Sequence, residues 1–246
     1  MKNMYGIVGK KLSHSYSAKL FEEKFGATYP FKIIEIDKIS DLNLFIENNP
    51  SLKGFNVTIP FKKEIIPLLT EMDDISESCG SVNTVVIDRK NGKISLKGYN
   101  TDVSGFYESY KNVFPLGCEK ALVLGTGGAS NAISYALKLA SIETLFVSRS
   151  GGKLITITYA ELSPKIIKDY RIIINTTPLG MFPNTNACPE ICYSAIGENH
   201  VVIDIIYNPE CTLLMQKAQT QHAMVYNGYQ MLQKQAIKAW QIWGLI

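Results

Sequence analysis

The sequence predicts an α/β protein in two domains, and three observations carry that expectation. Over the first hundred residues strand-like and helix-like segments alternate: YGIVG, SAKLFEEKFG, FKIIEID, DLNLFIENN, GFNVTI and PFKKEIIPLL. Asn91-Gly92 then falls between two β-type runs in NTVVIDRKNGKISLKGYN, which marks a tight hairpin and makes the first sheet mixed. After a helix expected over 102–113 and the breakers Pro115 and Gly117, the pattern restarts with ALVLGTGG, SNAISYALKLA, ETLFVSRS, RIIINTTP, HVVIDIIY and MVYNG. Continuous apolar strands, each followed by a turn and often by a helix, indicate a parallel sheet covered on both faces. The two domains join near residue 101.

Among the first elements, GFNVTIPFKK alternates like a half-buried strand, meets Pro60, and sets Lys62 and Lys63 where a helix is expected to begin. Two cations at a helix N-terminus oppose its partial positive charge, at up to about 1 kcal/mol each. Such a placement asks for a function, and the two side chains would stand roughly 100° apart around the expected helix. At the other end of the chain, YQMLQKQAIKAWQIW reads as an amphipathic helix with Leu232, Ala236, Ala239 or Trp240, and Trp243 along one face.

Composition narrows the function classes. The 246 residues are 46% hydrophobic and 19% charged, enough for one large or two medium cores. A net charge of +3 with scattered basic residues excludes a dedicated nucleic-acid or membrane surface. Cys79, Cys118, Cys188, Cys192 and Cys211 hold no zinc-type pair and read as thiols in a reducing compartment. No run is apolar enough for a signal peptide or a membrane span, so the expected location is cytoplasmic. His14, His200 and His222 show no metal spacing, and no metal site is expected.

The second domain opens on VLGTGGASNAI, a buried strand running into a glycine turn that begins a helix. That is the context of a dinucleotide fingerprint, in which Gly125 and Gly127 let the backbone approach a pyrophosphate seated on the helix N-terminus. Ser130 replaces the third glycine. The next strand ends in Ser148-Arg149-Ser150 with no acid to bind a ribose 2′-hydroxyl, which favours NADP over NAD. The segment GGKLITITYAEL that follows reads as loop and extended chain in place of a helix.

Four stretches put short polar side chains at strand ends, where α/β proteins bind ligands: SHSYS, NVT, SVNT and NTD. Each has an ordinary reading. Ser15 or Ser17 could cap a helix, Thr58 could be a plain strand residue, and Asp102 could be the N-cap of its helix. Together they offer hydroxyls, amides, one carboxylate and one lysine, a set suited to a polyhydroxylated carboxylic acid and to proton transfer.

These stretches, in this order, resemble the shikimate dehydrogenase family, NADP-dependent enzymes that reduce 3-dehydroshikimate in aromatic amino-acid biosynthesis. The resemblance is collinear and covers nearly the whole chain. It implies a substrate domain of residues 1–101 completed by the C-terminal helix 229–246, and a Rossmann-like NADP-binding domain of 102–228. Catalysis falls to Lys62 and Asp102. Substrate binding falls to Ser15, Ser17, Asn56, Thr58, Asn83, Thr101, Tyr207 and Gln235. The cofactor turn is Gly125, Thr126, Gly127, Gly128 and Ala129, with Ser148, Arg149 and Ser150 on the adenosine side and Thr176, Thr177, Met181 and Gly228 toward the nicotinamide.

The sequence departs from the family at Ala18, where proline is usual, at Val103, where glycine is usual, and at Ser148, where asparagine is usual. None of these removes a catalytic group. The resemblance leaves room for a broad-specificity quinate/shikimate enzyme using NAD, and for a non-catalytic NADP-binding sensor on the same fold. The partner is a small-molecule substrate, and monomer and homodimer both stay open.

Overall fold

The computed structural model describes residues 2–12, 15–26, 28–150 and 156–246. It divides into two compact units, Met1–Gly105 with Leu232–Ile246, and Phe106–Met231. The first unit runs β1 (Met4–Gly9), α1 (Tyr16–Phe25), β2 (Phe31–Glu35), α2 (Asp41–Asn48), β3 (Leu52–Val57), β4 (Glu71–Met72), α3 (Asp74–Cys79), β5 (Thr84–Lys90), β6 (Lys93–Tyr99) and the start of α4 (Thr101–Tyr110). Its sheet has the order β2-β1-β3-β5-β6-β4. β1 is parallel to β2 and β3, whereas β5 is antiparallel to both β3 and β6. The hairpin is as expected: Asn91 (φ 52°) and Gly92 (φ 75°) form a two-residue turn that sets Lys90 opposite Lys93. Two reversals make β6 run with β3, so the C-terminal ends of β1, β3 and β6 and the start of β5 lie along one edge.

The segment after Pro60 differs from expectation. Residues 59–65 form successive turns that lead into a 3₁₀ turn at Ile66–Leu68, and no α-helix begins at Lys62. Pro67 accounts for this, because in an α-helix starting at Phe61 it would lack the N–H needed by Lys63 and clash with that carbonyl. The Lys62 carbonyl accepts instead from the Val82 N–H at 2.8 Å. The two lysines therefore face no helix N-terminus, and it is the turn that separates them: Lys62 is half-buried and Lys63 exposed.

The second unit contains β7 (Lys120–Leu124), α5 (Gly128–Leu139), β8 (Glu143–Ser148), β9 (Thr156–Thr158), α6 (Pro164–Asp169), β10 (Ile172–Asn175), β11 (Val201–Asp204), α7 (Leu213–Gln219) and β12 (Met224–Asn227). All its strand pairs are parallel, in the order β12-β11-β10-β7-β8-β9. Counted along the chain that is 3-2-1-4-5-6, the doubly wound Rossmann arrangement, with its switch of direction between β7 and β10. Ala121 to Leu124, Ile172 to Ile174 and Val201 to Ile203 are all fully buried, as strands covered on both faces require. Of the segment after Ser150, residues 151–155 lie outside the described residues, and TIT forms the edge strand β9.

The last helix, α8 (Tyr229–Ile242), buries the expected face: Leu232, Ala236, Ala239 and Trp240, followed by Trp243. Tyr5, Phe21, Ala236, Trp240 and Trp243 form one cluster, and the Tyr5 and Trp243 rings stack at 4.9 Å. The Trp243 indole N–H donates to the Val85 carbonyl at 3.1 Å. This contact requires a glycine beneath it, since a Cβ at Gly54 would stand 2.5 Å from Trp243 Nε1 and 2.8 Å from the Val85 oxygen. Gly54→Ala should therefore cost about 1–3 kcal/mol of stability by overpacking. Urea denaturation followed by tryptophan fluorescence measures the loss.

Candidate active site

Strand register assembles the site in the first unit. Asn56 pairs with Thr84, and Thr84 with Tyr99, so residues near the ends of β3, β5 and β6 form one row. Across it, the Asn56 Nδ2 donates to the Asn83 carbonyl (3.3 Å) and to Thr84 Oγ1 (3.1 Å). Asn83 Oδ1 accepts from the Thr101 N–H at 2.7 Å and from Thr101 Oγ1 at 3.1 Å. Thr101 Oγ1 also reaches Gln235 Oε1 at 3.4 Å, while the Gln235 amide donates to the Leu232 carbonyl at 2.9 Å. Asn56, Asn83, Thr84, Thr101 and Gln235 are all buried, so these bonds hold them against little competition from water.

Beside the row, Lys62 Nζ donates to Asp102 Oδ2 at 2.6 Å. The two side chains keep only 16% and 8% of their surface, a degree of withdrawal that charged groups tolerate when paired. Asp102 is not the cap of its helix. Asn100 Oδ1 accepts the Asp102 N–H (3.0 Å) and the Val103 N–H (3.3 Å), which leaves the Asp102 carboxylate for the lysine. Ser15, by contrast, does cap α1, accepting the Ala18 N–H at 3.3 Å. Ser15, Ser17 and Thr58 are half-buried near the ends of β1 and β3, with no side-chain bond to the network among the described residues.

The second unit gathers a different set at the C-terminal edge of its parallel sheet. Gly125 follows β7 at φ 108°, and a Cβ there would stand 2.7 Å from Thr176 Oγ1. Thr176 in turn donates its hydroxyl to the Leu124 carbonyl at 2.7 Å. Gly127 is the N-cap of α5 and offers no side-chain acceptor, unlike Ser15 on α1 or Ser163 on α6. The space its Cβ would occupy is open. A helix start without a side-chain cap, behind a glycine turn, fits an anionic pyrophosphate. Thr126 lies between the two turn glycines, Gly128 and Ala129 open α5, Ser148 ends β8 buried, and Arg149 and Ser150 are exposed just beyond it. Among the described residues no group of three His, Cys, Asp or Glu side chains could hold a metal ion.

Comparison with known proteins decides the family. Residues 7–85 match the model of the shikimate dehydrogenase substrate binding domain. A shikimate dehydrogenase (NADP(+)) of Methanosphaera stadtmanae is 35% identical, with 96% of this chain and 89% of that protein covered. One from Aquifex aeolicus is 37% identical over 98% of this chain and 91% of its own length. The chain belongs to the shikimate dehydrogenase family. The fold agrees with a shikimate 5-dehydrogenase from Thermus thermophilus, solved in complex with NADP(H) and shikimate, at a TM-score of 0.84 and 25% identity, covering 99% of this chain and 94% of that one.

Within the family frame, sequence reasoning passed over two groups that the structure brings forward. Asn100 is one, and its position just before Thr-Asp at a helix start was a visible capping signal. Asp204, at the end of β11, is the other. Fully buried, it accepts from Asn175 Nδ2 (3.1 Å), the Ile206 N–H (3.1 Å) and Thr212 Oγ1 (2.7 Å). Asn175 also accepts from the Thr177 N–H and hydroxyl, so this carboxylate ties the Thr176-Thr177 loop to the loop that carries half-buried Tyr207. Gly228 closes against the same loop, its N–H donating to the Ile206 carbonyl, and a Cβ would lie 1.9 Å from the Ile205 oxygen. Met181 is exposed.

Burial pushes the Asp204 carboxyl from 3.8 up to about 6, and its three hydrogen bonds offset only part of that rise. The folded protein thus holds this proton more tightly than the unfolded chain. The resulting stabilisation is complete below the unfolded pKa and is lost as pH rises through about 6, a swing of order 3 kcal/mol. Asp204→Asn cannot ionise and should flatten the fall in melting temperature between about pH 4 and about pH 6. Calorimetry of parent and variant across that range checks it.

Proposed function

We propose that this chain is an NADP-dependent shikimate dehydrogenase that interconverts 3-dehydroshikimate and shikimate, an oxidoreductase acting on a CH–OH donor. One observation supports the assignment above the others: the 2.6 Å contact between Lys62 Nζ and Asp102 Oδ2, at the strand ends where the polar row lies. A non-catalytic sensor needs no such pair. Residues 1–101 with 229–246 bind the substrate, and residues 102–228 bind the cofactor. The enzyme acts in the cytoplasm; none of the described helices is long and apolar enough to cross a membrane.

NADPH, when bound, supplies the hydride that the ketone carbon takes. As charge grows on the ketone oxygen, the Lys62 ammonium donates a proton to it, and in the reverse direction the neutral amine accepts the proton from the hydroxyl. Asp102 orients the lysine and accepts from a neighbouring substrate hydroxyl. Ser15 and Ser17 hold the substrate carboxylate with hydroxyl donors. Asn56, Thr58, Asn83, Thr101, Gln235 and Tyr207 read the remaining oxygens, an arrangement in which each misplaced hydroxyl leaves a buried polar group without a partner. Gly125 to Ala129 take the pyrophosphate and the start of α5 carries its charge. Arg149, flanked by Ser148 and Ser150, takes the 2′-phosphate.

Lys62→Ala should lower kcat for shikimate oxidation by about 10²- to 10⁴-fold with a much smaller change in KM. Lys63→Ala should stay near the parent, and equal losses at the two positions would refute the choice. The same absorbance assay of the nicotinamide should give a higher kcat/KM for shikimate with NADP than for quinate with NAD. The reverse ratio would make the protein a quinate enzyme using NAD, and cofactor binding without turnover would make it a sensor.

A further inference from the structure

We propose that Ser81-Val82-Asn83 is a template that sets the spacing of Lys62 and Asp102, with Ser81 and Asn100 as positioning residues for the proton-transfer pair. This rests on the functional reading above and gives a role to two residues that the reading leaves without one. Three consecutive residues of the template grip different parts of the pair. The Val82 N–H donates to the Lys62 carbonyl at 2.8 Å. The Ser81 carbonyl and hydroxyl oxygens both accept from Asn100 Nδ2, at 2.8 and 2.9 Å. Asn83 Oδ1 accepts the Thr101 N–H at 2.7 Å. At its other end the Asn100 amide oxygen takes the Asp102 and Val103 N–H groups. The backbone of Lys62 thus hangs on the middle residue of the template and that of Asp102 on the two flanking it.

Burial makes these bonds hard to replace. Ser81 is 0% exposed and Asn100 4%, so water cannot take over a bond that is lost. Asn100 uses both amide protons on Ser81 and its oxygen on two N–H groups, which leaves one orientation of the amide and no alternative flip. The Ser81 hydroxyl also lies within 3.8 Å of Cys79 Sγ, so its oxygen faces Asn100 from a closed polar corner. Helix capping alone would ask only for an acceptor at position 100. The amide protons are what capping leaves over, and they are spent on the segment that also holds Lys62.

Asn100→Ser separates the two roles, because serine keeps the capping oxygen and loses both donors to Ser81. The variant should melt close to the parent and keep the parent KM for NADP, while kcat for shikimate oxidation falls about 10- to 100-fold through misplacement of the pair. Adding it to Lys62→Ala should cost less than about threefold more, since the template works through that lysine. Ser81→Ala should give a smaller loss of the same pattern, and carries the test should Asn100→Ser not fold. Parent-like kcat in these variants, or losses that multiply in the double variant, would overturn the template. A parent that turns over no shikimate would sink the functional reading alone. The template is then judged by the nuclear magnetic resonance chemical shift of the Lys62 ammonium, which Asn100→Ser should displace by moving its partner; an unchanged chemical shift overturns it.

Discussion

The Lys62–Asp102 contact is the constraint around which the first unit is built. Removing two charges from most of their water is unfavourable unless the partners meet at close range and stay there. Lys62 lies in the turns that follow β3 and Asp102 in the first turn of the helix after β6, so the pair exists only because those strand ends share one edge. The hairpin at Asn91-Gly92 secures that. It reverses the chain once more after the β3–β5 reversal, and β6 comes out running with β3. A slip of one residue in either pairing would turn Asn56 or Thr84 to the opposite face of the sheet and break the row beside the pair.

The same units show two ways of handling buried polarity. In the first, Asn56, Asn83, Thr84 and Thr101 bond to one another and Asn100 bonds to Ser81, so hydroxyl and amide groups that water would otherwise disorder are held at defined positions. In the second, Asp204 gathers Asn175, Thr212 and a backbone N–H onto one carboxylate. A buried carboxylate with three donors and, among the described residues, no ion-pair partner is less stable charged than in water, which is why its proton is held up to about pH 6. The arrangement orders two strand-end loops at the expense of stability near neutral pH. Such an exchange is common where a site is kept ordered for binding.

Anion binding here depends on placement more than on total charge. The net charge of +3 is small, yet the second unit offers the start of α5, which Gly127 leaves without a side-chain cap, and an exposed arginine after β8. Both stand at the C-terminal edge of one parallel sheet, at and beside the strand where its winding changes direction. A few well-placed dipoles and one guanidinium are enough for a nucleotide, because charge falls off quickly with distance in salt water.

The sequence by itself determined the elements whose cause is local. The periodicity of the apolar strands, the Asn-Gly turn, the glycine turn before α5 and the apolar face of α8 are written in neighbouring residues, and all took the expected form. It also named the candidate site residues, through an ordered set of motifs that resembles one family. The tertiary structure decided what depends on residues far apart. Two competing claims on one backbone settled residues 60–69: Pro67 blocks the helix that the local pattern favours, and the Val82 N–H captures the Lys62 carbonyl from twenty positions away. The other side of the Asn100 amide found its partner in Ser81, nineteen positions away. Propensity is a property of a few adjacent residues, whereas hydrogen-bond partners across a sheet are fixed by its register, and register is known only once every strand has found its place.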